Sequence, residues 1–107
     1  EPYADTEIYY LFTGSTTPHS SQTTVEEIAY RDVPIRRWDH GNLNDSGALY
    51  RVNLTFSQDG YFYTLSASFG GAALQPEAQL TPELRTALAT HAQDTLLSQC
   101  QQMIDGF

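Results

Sequence analysis

The stretch ALYRVNLTFSQDGYFYTLSASF, residues 48–69, decides the fold. Tyr50, Val52, Leu54 and Phe56 alternate with Arg51, Asn53, Thr55 and Ser57. After Gln58, Asp59 and Gly60 the alternation resumes, with Tyr61, Tyr63, Leu65, Ala67 and Phe69 on one parity and Phe62, Thr64, Ser66 and Ser68 on the other. Two period-2 runs joined by Asp-Gly predict a β-hairpin, because glycine supplies the positive φ that a tight turn needs. One face of this hairpin is apolar and the other carries hydroxyls and amides, so the apolar face needs a cover.

The cover lies at the C-terminus. Thr81-Pro82-Glu83 is a helix start, with a capping hydroxyl, proline at the first helical position and a carboxylate facing the positive end of the dipole. From Pro82 to Asp105 the residues Leu84, Leu88, Ala92, Leu96, Cys100 and Met103 recur along one side, and Ala87, Leu97 and Ile104 widen the stripe. At 1.5 Å per residue such a helix is about 36 Å long, enough to lie across a four-stranded sheet. The expected fold is therefore α+β: a two-layer sandwich forming a single domain over residues 1–107, with an antiparallel sheet of about four strands, the hairpin 48–69 at its centre and helix 82–105 on one face.

Upstream, Ile8 to Phe12 is apolar on both parities and reads as a central strand covered on both sides. Thr13 to Gln22 is polar and aperiodic, as a loop is. Thr23–Tyr30 fits two descriptions. Capping-box pairs Thr23/Glu26 and Thr24/Glu27, with Val25, Ile28 and Ala29 at helical spacing, favour a short helix, while its β-branched and aromatic residues also suit a strand. Pro34 interrupts regular structure, Ile35 to Trp38 is expected as an edge strand, and Asp39 to Gly47 as a loop.

A net charge of −8 on 107 residues, with five arginines and no lysine, excludes nucleic-acid binding through phosphates and makes a basic protein partner the easier one electrostatically. No apolar run reaches the length of a membrane span, so the expectation is a soluble chain, cytoplasmic or an exported mature form. The single cysteine, Cys100, falls on the buried side of the helix and reads as an inert core thiol. The acceptor triplets at Asn44 and Asn53 are read as chance matches in a Ser/Thr-rich chain.

His19, His40 and His91 lack the close spacings of metal sites, no elbow presents a nucleophile, and no cofactor or catalytic residue is expected. The densest chemically capable group is Arg36, Arg37, Trp38, Asp39 and His40. Tryptophan and arginine dominate binding hot spots, so Trp38, Arg36, Arg37 and His40, with Phe62 breaking the polar face of the hairpin, form the candidate partner-binding residues. These features point to a small acidic interaction protein without enzymatic activity, such as a regulator, inhibitor or immunity-type partner, and a homodimer through the sheet edge or its uncovered face is in keeping with it. The alternative is a small-ligand binder or hydrolase-like protein, with a tyrosine-lined pocket between helix and sheet and Arg36 and Arg37 holding an anionic group.

Overall fold

The computed structural model describes residues 8–18, 24–41, 49–70 and 82–106. Five strands, β1 (Tyr9–Ser15), β2 (Glu26–Tyr30), β3 (Val33–His40), β4 (Leu49–Gln58) and β5 (Tyr61–Gly70), precede one helix, α1 (Pro82–Asp105). They form a single antiparallel sheet in the order β1-β5-β4-β3-β2, with α1 packed on β4 and β5. The α+β sandwich of the sequence reading stands, with five strands in place of about four.

The expected hairpin is β4–β5, and its register sets Tyr50 opposite Phe69, Val52 opposite Ala67, Leu54 opposite Leu65 and Phe56 opposite Tyr63. Asp59 and Gly60 both have positive φ, 53° and 80°, so the turn has the twist that suits its flanking strands. Val52, Leu54, Leu65, Ala67 and Phe69 are wholly buried against Leu88, Ala92, Leu96 and Cys100 of the helix. The observed stripe, Arg85, Leu88, Ala89, Ala92, Leu96, Cys100 and Ile104, is turned slightly from the expected one: Leu84 and Met103 are half-buried at its margins, and Arg85 is fully buried. A helix stripe is set by the surface that it meets as well as by its own apolar residues, and a buried guanidinium is invisible to an apolar count.

Thr23–Tyr30 contains a strand, from Glu26, in place of the favoured helix. Its two capping-box glutamates act instead as cross-strand partners, Glu26 opposite Arg37 and Glu27 opposite Arg36. The β2–β3 turn is Arg31-Asp32, both at positive φ, 50° and 66°, a tight turn made without glycine or asparagine. Three further expectations change. β3 is an inner strand lying between β2 and β4, not an edge; Pro34 fits there because the ladder to β4 begins only at Arg36, so no hydrogen bond to β4 is lost. The regions read as loops shrink, since β1 continues through Ser15 and β3 through His40; residues 19–22 and 42–47, like the Thr81 cap and the 75–79 connection, lie outside the described residues.

The largest departure is β1, which lies at the edge of the sheet and not at its centre, with Tyr9, Tyr10, Leu11 and Phe12 exposed by 51, 40, 63 and 48%. A helix about 10–12 Å across covers two to three strands spaced 4.7–4.9 Å apart. Here it sits over β4 and β5 and reaches toward β3 and β2, through Gln93 to Arg37 and Asp105 to Tyr30. Apolar residues on both faces of β1 are thus left outside its cover.

Candidate functional site

Strand alternation divides the Arg36–His40 cluster. Arg37 pairs with Leu54 and Asp39 with Val52, which puts both on the α1 side of the sheet. Arg36, Trp38 and His40, opposite Thr55, Asn53 and Arg51, share the other face. The five residues do not form one site, and Asp39 and His40 face away from each other.

On the α1 side, Arg37 grips Asp39 with two parallel bonds, Nε to Oδ1 at 2.9 Å and Nη2 to Oδ2 at 2.7 Å. Its Nη1 donates to Gln93 Oε1 of the helix, and the Tyr50 hydroxyl donates to Asp39 Oδ2. The Arg37 and Asp39 side chains are only 14% and 9% exposed. The Asp39 hydrogen bond raises the Arg37 pKa, and burial followed by that carboxylate pushes Tyr50 up to about 12. This network ties β3 to β4 and to α1, and the fork of Arg37 is spent on internal partners. It is structural.

On the opposite face the register sets out rows across the sheet. Leu11, Ser66, Asn53 and Trp38 form one row, Tyr9, Ser68, Arg51 and His40 the next, and Thr13, Thr64, Thr55, Arg36 and Glu27 a third. The middle of the face is a bonded polar layer. Ser66 Oγ donates to Asn53 Oδ1 at 2.6 Å and Asn53 Nδ2 to the Trp38 carbonyl at 3.2 Å, and both Asn53 and Ser66 are buried. Asn53, whose triplet matches the glycosylation pattern, is 1% exposed. Trp38 is half-buried, with Arg36 and His40 exposed on either side of it along β3. Phe62 shares the face but stands in the row of Ser15 and Ser57 beside the hairpin turn. It is four residues along the sheet from the Trp38 row, about 13 Å away in that direction alone, and so does not join the same cluster.

Charge on this face runs against that of the chain. Among the described residues its cations are Arg36 and Arg51, with Glu27 as the one carboxylate, on a molecule of net charge −8. Arg36 Nε lies 3.5 Å from Glu27, with both side chains more than half exposed, and Arg51 Nε donates to Ser68 Oγ at 3.2 Å. Such contacts orient the guanidinium groups without withdrawing them from a partner.

Sequence reasoning missed the exposed run Tyr9–Phe12 by placing it at the centre of the sheet. The available signal was the size of the cover: the one long helix predicted, 82–105, is too narrow to lie over every strand of a sheet of four or more. Among the described residues no group of three His, Cys, Asp or Glu side chains is placed to hold a metal ion, and no helix is long and apolar enough to cross a membrane. No protein family, curated protein or solved structure matches the chain.

Proposed function

We propose that this chain is a small acidic protein-interaction domain that binds through the sheet face opposite α1, with Trp38 as the apolar anchor and Arg36 and His40 as its polar flanks. Arg51 lies opposite His40 on the next strand and extends the patch, and Phe62 is an outlying contact at the hairpin end of the same face. One observation carries the reading: a half-buried tryptophan beside Arg36 and Arg51 on a face that, among the described residues, holds Glu27 as its one carboxylate, in a chain of net charge −8. A net negative field speeds the approach of a basic partner, while at the patch itself Arg36 and Arg51 select carboxylates on that partner. Self-association through the sheet edge is compatible with this use, because β1 lies three strands from Trp38, about 14 Å away. The ligand-pocket alternative drew on Arg36 and Arg37 converging on one anion, and the two side chains lie on opposite faces.

The test is quantitative capture from source lysate with the wild-type chain, Trp38→Ala and Arg36→Glu as bait, after far-UV circular dichroism has shown all three folded. A stoichiometric partner retained by the wild type and lost by both variants supports the assignment. A partner bound equally by all three removes this face as the binding surface.

A further inference from the structure

We propose that the free edge of β1 is a self-association surface, at which two copies of the chain pair antiparallel, β1 against β1, about a two-fold axis at Phe12. It rests on residues apart from the Trp38 patch, and its test is separate from that of the reading above.

The backbone direction follows from the hairpin. A two-residue turn at Asp59-Gly60 makes Gln58 and Tyr61 a hydrogen-bonded pair, so alternation aims the backbone groups of Phe62, Thr64, Ser66 and Ser68 at β1. Their partners Ser15, Thr13, Leu11 and Tyr9 point back into the sheet. The N–H and C=O groups of Tyr10, Phe12 and Gly14 therefore face away from β5, toward the side on which β1 has no strand partner among the described residues. Phe12 is the midpoint of Tyr9–Ser15, and an antiparallel pair centred on it sets Phe12 opposite Phe12 and Tyr10 of each copy opposite Gly14 of the other. This register uses every outward group of both strands, and any other two-fold register leaves one of them beyond the end of the strand.

The side chains agree. At Gly14 an ideal Cβ would run into Tyr61 Cε1, so the ring already leans over the glycine, and an incoming Tyr10 meets that aromatic edge on the same face. The ladder to β5 is unbroken, and β1 contains no proline and no charged residue, the devices by which exposed edges usually avoid foreign strands. Two copies of charge −8 repel at long range, yet no like charges meet in the paired strands themselves. The exposed parts of Tyr9 to Phe12 offer roughly 400 Å² per copy, given the ~150–250 Å² of an aromatic side chain. That is about half of the ~800 Å² each partner gives to a standard interface, so the dimer is a dissociable one, in the micromolar range or weaker.

The experiment is sedimentation equilibrium of the full chain from about 1 μM to about 1 mM, spanning the expected dissociation range, joined to amide hydrogen exchange at both ends of the series. The expected result is reversible dimerisation that tightens as added salt screens the like net charges. Phe12→Lys weakens it about tenfold or more, the size of losing a central interface residue. Amides of Tyr10, Phe12 and Gly14 gain protection with concentration, while those of Leu11 and Thr13 are protected throughout. A monomer over the whole range overturns the proposal, as does a dimer indifferent to Phe12→Lys, or concentration-dependent protection that spares Tyr10, Phe12 and Gly14. Should Phe12→Lys unfold, the wild-type exchange pattern decides by itself. Loss of partner capture by Trp38→Ala is independent of all these results.

Discussion

Asp39 accepts hydrogen bonds from two Arg37 nitrogens and from the Tyr50 hydroxyl, and so carries three interactions on one nearly buried carboxylate. Removing it leaves a half-buried guanidinium with only its bond to Gln93 and takes the acceptor from the buried Tyr50 hydroxyl. Asp39→Ala should cost about 3 kcal/mol in urea unfolding, as expected when one partner of a buried pair is deleted. The pH dependence of Tyr50 has a definite sign. Its folded pKa of about 12 lies above the ordinary 10, so the folded state holds this proton more tightly than the unfolded chain does. Its contribution is complete below pH 10 and is lost between pH 10 and 12. A spectrophotometric titration should show a tyrosinate component near pH 12 that Tyr50→Phe removes, and that variant should flatten the loss of stability over the same interval. None of this was legible in the residues alone. Arg37 and Asp39 are plain in the sequence as two charges two positions apart, but Tyr50 and Gln93 come to them only through the sheet register and the helix.

At the scale of elements, the hairpin and α1 were legible because each announces its own period and its own ends. β2 was not. Its glutamates satisfy a capping-box pattern, and the Arg31-Asp32 turn lacks the glycine or asparagine by which a tight hairpin is recognised. That turn is held by other means. The Arg31 Nε lies 2.8 Å from Asp105 at the end of α1, and the Tyr30 hydroxyl donates to the same carboxylate at 2.9 Å. Exposed contacts of this kind are individually weak, so the positive φ of 66° at Asp32 remains a net cost. Asp32→Gly should therefore raise stability by about 0.5–1 kcal/mol in denaturant unfolding, since glycine takes that conformation without steric penalty. The reverse holds at Gly41, with φ of 111°, where a Cβ would approach the Leu49 carbonyl oxygen to 2.6 Å. The obstacle is backbone and cannot swing away. Gly41→Ala should destabilise by about 1–3 kcal/mol, read in the same assay.

For the molecule as a whole, the core is one layer of side chains between β4–β5 and α1, so its integrity depends on a few positions at that junction. Leu88 is wholly buried there. Leu88→Ala should cost roughly 3 kcal/mol and lower the melting temperature by more than about 10 °C in calorimetry. Cys100, buried in the same layer and with its thiol pKa pushed up to about 12, should resist alkylation at neutral pH until the chain unfolds.

The sequence by itself determined the α+β class, the hairpin and its turn, the span of α1 and the identity of the sheet residues that α1 covers, because alternation, turn chemistry and helix capping act over a few neighbouring residues. It also singled out Trp38, Arg36 and His40, but together with Arg37 and with His40 assigned to a loop; the register of β3 on β4 is what puts the three on one face. Only the tertiary structure decided which strands lie at the edge, that Arg37 turns inward to Asp39, and that Tyr9–Phe12 stands exposed. Those outcomes depend on where a single helix comes to rest on a sheet wider than itself, and no local pattern encodes that position.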